Sequence, residues 1–272
     1  MMLSALSCCD YPSRLDGFQI SQALQLSGSE VIDLQTIVDE SDRENVSIKV
    51  FSRRAGAQWC AHASGSTQSY QPRPEEVSFP PDVDDANSID VNAFYGRMRE
   101  VGIEHDHEFR GIQTIKASDQ GIWVTLGADS EAEKRVSDPF LIHPAQLDAA
   151  IQSVAAALLN EVGAFLPVAA KHVQVLAPFR GVDRVYVDLR DSPKCRQQGI
   201  VASVYMFSGG RLVAQLADLA FSRADPRRFD QSISLQDSCY SLAWKPWLGD
   251  REFLDHDNLQ DQLVAVAAGG CA

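Results

Sequence analysis

Apolar and polar residues alternate along the first quarter of the chain with the two-residue period of a half-buried strand. Residues 18–26, 30–38, 46–51 and 58–65 carry this pattern, with turns at Ser27-Gly28-Ser29 and at 41–45, and predict an antiparallel meander with one buried face. A sheet of this kind needs a helix to cover it. Upstream only residues 1–6 are available, so this half is expected to be incomplete, as though a core helix had been cut short. Residues 66–90 hold Pro72, Pro74, Pro80 and Pro81 among acidic residues and serines, which reads as a linker.

The period then lengthens. Asp90 as a cap, apolar Val91, Phe94, Tyr95 and Met98, and Gly102 at the end predict a short helix over 88–102. A strand pair follows over 111–126, around Gln120-Gly121. The run 140–159 reads as a buried helix that opens at Pro144 and turns Leu147, Ile151, Val154, Ala155 and Leu158 to the core. Strands are expected at 172–176, 184–190, 199–207 and 211–221, the last two joined by a hairpin turn at Ser208-Gly209-Gly210. One long helix in a curled antiparallel sheet makes the chain α+β. The first half repeats the strand pattern without the helix.

Composition narrows the classes. At 272 residues, 45% apolar and 22% charged, the chain is an ordinary globular protein with room for one large or two small cores. Its net charge of −13 and pI near 4.8 argue against nucleic acid or an anionic membrane surface as partner. The six cysteines, at 8, 9, 60, 195, 239 and 271, show no Cys-x-x-Cys spacing, which points to a reduced cytoplasmic setting. No apolar run is long enough to span a membrane, and the start lacks the basic region and long apolar core of a signal peptide.

The central helix carries the candidate chemistry. Asp148 and Gln152 lie four residues apart and so share a face, where the amide can donate to the carboxylate and fix its rotamer. Taken alone, the pair reads either as an acid with its orienting group or as a solvated polar stripe. His62, His143, His172 and His256 are scattered along the chain, and His143 precedes Pro144 as a structural residue. His105-Asp106-His107 has two histidines but no third metal ligand in view, and reads as a solvated turn.

His143-Pro144-Ala145-Gln146-Leu147-Asp148-Ala149-Ala150-Ile151-Gln152 resembles the His-Pro-x-x-x-Asp-x-x-x-Gln/His signature of the dehydratase domains of modular polyketide synthases and animal-type fatty acid synthases. Further matches follow in the family's order over about residues 15–226: the segment from Tyr95 to Gly111, then Leu166-Pro167, then Leu219-Ala220-Phe221-Ser222-Arg223. The resemblance implies a double hot-dog fold, two antiparallel sheets each wrapping a central helix, with the first incomplete. It divides the chain into a partial first hot-dog (1–70), a linker (71–87), a second hot-dog (88–226) and a tail (227–272) leading to the next synthase domain. In that tail Tyr240 to Trp244 is similar to the strand that opens a reductase region, although Trp244 and Trp247 read equally as an apolar anchor for the tail.

In the family, dehydration of a β-hydroxyacyl thioester uses a histidine from the first hot-dog as base and an aspartate from the second as acid. The resemblance makes Asp148 the proton donor at the end of an apolar tunnel and Gln152 its orienting group. Phe109, Gly111, His143, Pro144, Leu166 and Pro167 fall at substrate-binding positions. The His-x-x-x-Gly-x-x-x-x-Pro motif of the base has no counterpart: His107 to Gly111 has part of the spacing, but Lys116 stands in place of the proline. Gly-Tyr-x-Tyr-Gly-Pro-x-Phe is worn to Gly102-Ile103-Glu104-His105-Asp106-His107-Glu108-Phe109, and Leu-Pro-Phe-x-Trp to Leu166-Pro167-Val168-Ala169-Ala170. No histidine is therefore expected to serve as base, and the chain alone is expected to be inactive. No cofactor or metal is implied, because the substrate arrives on the phosphopantetheine of an acyl carrier protein. Neighbouring synthase domains and a second copy of the chain are the other implied partners. A non-catalytic scaffold, a pyran-forming cyclase and a double-bond isomerase are the alternatives.

Overall fold

Eleven strands join into one antiparallel sheet in the computed structural model, which describes residues 1–26, 31–42, 44–68, 78–80, 86–127, 141–176, 181–189, 199–224, 242–244 and 265–267. The expected features at Ser27-Gly28-Ser29, Pro72, Pro74, Pro81, Phe140, Trp247 and His256 lie outside these residues. The strands are β1 (Arg14–Ile20), β2 (Ile32–Asp39), β3 (Val46–Arg54), β4 (Cys60–Thr67), β5 (Asn87–Ile89), β6 (Ile112–Ala117), β7 (Gly121–Leu126), β8 (Phe165–Val175), β9 (Arg184–Asp188), β10 (Gly199–Ser208) and β11 (Arg211–Arg223). Side by side they run β2-β3-β4-β1-β8-β11-β10-β9-β7-β6-β5. The two strand sets read from the sequence thus meet in a shared ladder, with Arg14 of β1 opposite Gln174 of β8 and Phe18 opposite Ala170. Residues 1–224 form one compact unit. In the second unit β12 (Leu242–Trp244) pairs with β13 (Ala265–Ala267).

Local chemistry moves several boundaries. β1 begins four residues before the alternating stretch and stops at Ile20, because the amides of Ser21 and Gln22 turn to the His62 carbonyl (2.9 and 3.4 Å). Gly17, at φ +58°, takes up a shift in pairing between Asp16 and Gln19. The β10–β11 hairpin is as expected: Gly209 and Gly210 both have positive φ (54° and 80°), the requirement of a tight two-residue turn that matches strand twist. Pro167, in β8, lies beyond Ala169, the last β8 residue paired with β1, so its missing N–H interrupts no bond on that side.

Among the described residues three α-helices pack on the sheet. α1 (Met2–Cys8) is short, yet it buries Met2 and Leu6 in the same core as Leu15 and Ile48, and so covers part of the sheet that the sequence leaves uncovered. Leu34 and Ile37 on edge strand β2 stay 46% and 42% exposed. In α2 (Val91–Glu100) the Asp90 carboxylate accepts from the Ala93 amide at 2.7 Å, and Phe94, Tyr95 and Met98 point inward.

The third helix departs from expectation. α3 (Pro144–Gln152) starts at the proline and tightens into a 3-10 segment over Ser153–Leu158, rather than running as one α-helix from 140 to 159. Ser153 Oγ donates back to the Ala149 carbonyl at 2.9 Å, at the turn where the winding changes. The deepest face of α3 is Gln146, Ala149, Ala150 and Gln152, whereas Leu147 and Ile151 are only partly buried. Small alanines let neighbouring backbone come close, and both glutamines are accommodated by hydrogen bonds; the Gln146 side chain, for instance, accepts from the Val182 amide.

Arg97 of α2 closes the far end of this helical stretch. Its guanidinium donates to the carbonyls of Leu159 (3.1 Å) and Glu161 (3.0 Å), groups that a helix end leaves without internal partners. Arg97→Ala is expected to lower stability by about 1–3 kcal/mol, read as a shift in the urea midpoint. An unchanged midpoint would show that solvent satisfies those carbonyls equally well.

Candidate active site

Pro144 at the first helical position and His143 before it set the start of α3, with the His143 carbonyl accepting from the amides of Gln146 and Leu147. One turn further on, the Asp148 carboxylate is half-buried and its Oδ2 accepts from Gln152 Nε2 at 2.5 Å. The same amide nitrogen donates to the Phe109 carbonyl at 2.9 Å. Phe109 closes a short 3-10 turn, His107–Phe109, that packs on α3. Gly111 follows, where a Cβ would stand 3.6 Å from that of Ala149. Phe109 and Gly111 are thus brought to the helix that holds Asp148 and Gln152. Leu166 and Pro167 are placed on β8, opposite Ser222 and Phe221 of β11. An apolar pocket lined by Met98, Ile103, Ala155, Leu158 and Phe165 lies next to α2, and Asp148 is not among its lining residues.

Two members of the cluster are not legible as such in the sequence. Tyr95 of α2 donates its hydroxyl to Gln152 Oε1 at 3.2 Å and accepts from the Ile112 amide at 3.4 Å. Gln152 therefore has donors facing Asp148 and Phe109 and its acceptor facing Tyr95, which leaves one sense for its amide. Burial pushes the Tyr95 phenol above its ordinary pKa, so it remains protonated and able to donate. The Arg110 guanidinium sits 4.6 Å from the centre of the Tyr95 ring. His105 stands edge-on to the same ring, with centroids 5.8 Å apart, and lies close enough to Asp148 to feel its charge. Its Nδ1 is buried with no hydrogen-bond partner among the described residues. Helical spacing could not reveal these two, because Tyr95 reads as core and His105 as part of a turn; only the fold of α2 and its following loop onto α3 brings them in.

Two other described histidines, His62 and His172, are engaged elsewhere. His62, in β4, is 9% exposed and has a ring nitrogen against Ser52 Oγ (2.7 Å) and the other against the Gln22 carbonyl (3.0 Å). His172, in β8, meets the Gln215 amide at 3.1 Å, and burial lowers its pKa. Among the described residues no group of three or more His, Cys, Asp and Glu could hold a metal ion, and no helix is long and apolar enough to cross a membrane.

Tyr95→Phe keeps the ring and removes both hydroxyl bonds, leaving the Ile112 amide and the Gln152 carbonyl oxygen unpaired. A loss of about 1–3 kcal/mol is expected in urea unfolding. A variant as stable as the parent would mean that the hydroxyl does not brace Gln152.

Residues 79–230 match the family model described as the polyketide synthase dehydratase N-terminal domain. The chain is 27% identical over 255 residues to a phenolphthiocerol/phthiocerol polyketide synthase of Mycobacterium tuberculosis, covering 85% of this chain and 13% of that protein. It is 28% identical over 210 residues to the polyketide synthase GfsE of Streptomyces halstedii, covering 74% of this chain and 5% of that one. The chain thus spans about an eighth or less of these relatives. Among solved structures it is similar to the dehydratase domain from the CurF module of curacin polyketide synthase, with TM-score 0.66, 20% identity, and 78% of this chain and 76% of that one covered. It is also similar to the dehydratase domain of a mycocerosic acid synthase-like polyketide synthase, with TM-score 0.69, 17% identity, and 82% and 80% covered. These structures share the hot-dog fold.

Proposed function

Because the chain belongs to the polyketide synthase dehydratase family, we propose that it removes water from a β-hydroxyacyl thioester carried on an acyl carrier protein, giving the α,β-enoyl thioester. The observation that supports this most directly is the Asp148 carboxylate held by the Gln152 amide, itself fixed by Phe109 and Tyr95. Asp148 protonates the departing hydroxyl and Gln152 orients it, while Phe109, Gly111, His143, Pro144, Leu166 and Pro167 line the path of the substrate. The elimination is acid–base chemistry and needs no resident cofactor.

On this reading 88–226 is the acid-bearing half, 1–70 its partner, 71–87 the linker and 227–272 the way to the next synthase domain, all in the cytoplasm. The carrier protein, the adjoining domains and a second copy of the chain are its partners. With an acid and no base from its first half, the isolated chain would turn over about 10²–10⁴ more slowly than a site with both groups. A scaffold without chemistry is the second reading, favoured by the replacement of Tyr-Gly-Pro by His105-Asp106-His107. Incubating the purified chain with a β-hydroxyacyl carrier-protein thioester, and looking by mass spectrometry for loss of one water, separates the two. Slow formation of the enoyl species is expected, and none at high protein concentration and long incubation would favour the scaffold.

A further inference from the structure

Leu15, Val173 and Leu216 of β1, β8 and β11 face the core, so their neighbours in sequence point to the opposite side of the sheet. There a polar chain crosses the seam between the two halves. Arg14 stands opposite Gln174, Gln174 opposite Gln215, and Asp16 opposite His172. The Arg14 guanidinium holds the Asp16 carboxylate at 2.7 Å and reaches Gln174 Oε1 at 3.4 Å. Gln215 Nε2 lies 3.3 Å from the same Gln174 oxygen and 3.1 Å from His172 Nε2. Each contact fixes the sense of the next. Arginine can only donate, so Gln174 turns its oxygen to Arg14; that oxygen takes a second bond from the Gln215 amide nitrogen, and the same nitrogen donates to His172. His172 Nε2 must then offer a lone pair, with the ring neutral and its proton on Nδ1. We propose that this relay is a pH-sensitive latch on the seam, closed while His172 is neutral and released by its protonation, so that β1 opens from β8 more readily in acid.

A proton on Nε2 would set two donors face to face. Gln215 cannot answer by turning its amide over, because its oxygen would then meet the Gln174 oxygen that Arg14 holds in place. Burial lowers the His172 pKa first of all; Arg14 of β1 and Lys171 of β8 lower it further, while Asp16 of β1 and Asp218 of β11 oppose them. Both carboxylates are already engaged, Asp16 with Arg14 and Asp218 with Lys171 at 3.7 Å. Because the closed seam favours the neutral ring, the opened chain takes up the proton first. The contribution of the latch is therefore complete above the ordinary imidazole range and is lost as the pH falls through that range towards the lowered value. The place of the relay gives the loss its effect, since the ladder it crosses, from Arg14–Gln174 to Gln19–Ala169, is the one that joins the halves.

The test compares the full chain with His172→Gln and His105→Gln by amide hydrogen exchange, expressed as protection factors from about pH 8 to about pH 5. Parent protection should fall with acid in β1 and β8 and hold in β7 and β9, with a midpoint that matches the titration of the His172 ring followed by proton NMR. His172→Gln keeps an oxygen that can accept from Gln215 and has no proton to gain, so it should show no acid loss at the seam. His105→Gln removes the other imidazole that burial holds below its ordinary pKa, and should leave the response of the seam as in the parent. Equal acid loss in parent and His172→Gln overturns the latch, as does parent protection that is flat across the range. A parent midpoint that departs from the titration of the ring overturns it as well, a comparison that stands even if His172→Gln does not fold.

Discussion

Asp148→Asn is expected to lose dehydration by about 10²–10⁴-fold or more while folding normally. Asparagine keeps the shape of the side chain and an oxygen that can still accept from Gln152 Nε2, so the anchoring contact survives. What it cannot do is hand a proton to a departing hydroxyl, and general acid catalysis of this kind carries a factor of about 10²–10⁴. Asp148 is half-buried and is bonded by one side chain whose donor is preserved, so unfolding free energy should stay within about 1 kcal/mol of the parent. Steady-state kinetics on a β-hydroxyacyl thioester alongside a urea titration decide the matter. Collapse of the fold would make Asp148 a structural residue, and full activity would remove it from the chemistry.

Phe94→Ala should have the largest effect on stability. Phe94 is fully buried in α2, and its ring meets Tyr95 edge-to-face with centroids 5.2 Å apart. Emptying such a site costs about 3–5 kcal/mol, a large share of the roughly 5–15 kcal/mol that holds an average domain together. The neighbour left beside the cavity is Tyr95, which braces Gln152. Activity should therefore fall with stability, and Phe94→Leu should restore much of both. The urea midpoints of the two variants measure this, and a Phe94→Ala midpoint within error of the parent would show that the core refills the space.

The start of α3 was readable because Pro144 has one comfortable place in a helix, and the Asp148–Gln152 contact because four residues make one turn. The β10–β11 turn was readable because Gly209 and Gly210 take positive φ with ease. The deep face of α3 was not. Periodicity ranks Leu147 and Ile151 above two glutamines, and only surrounding hydrogen-bond partners make Gln146 and Gln152 the more buried pair. The Tyr95 contact joins residues 57 apart in the chain, and His105 reaches the cluster through tertiary packing, which no local pattern encodes. The switch to a tighter winding at Ser153 depends on a side chain bonding its own helix, a choice that propensity leaves open.

The pairing of β1 with β8 has a mechanical consequence. A protein built from two sheets that only touch could let them hinge apart with little loss, but here five residue pairs of backbone ladder, from Arg14–Gln174 to Gln19–Ala169, join the halves. Opening the molecule along that line means breaking main-chain bonds together with the core behind Leu15 and Val173. The seam therefore belongs to the slowest class of fluctuation, a subglobal unfolding rather than a breathing motion. Less costly movement is left to segments outside this ladder, that from Gly102 to Gly111 among them, with the paired strands as a fixed frame.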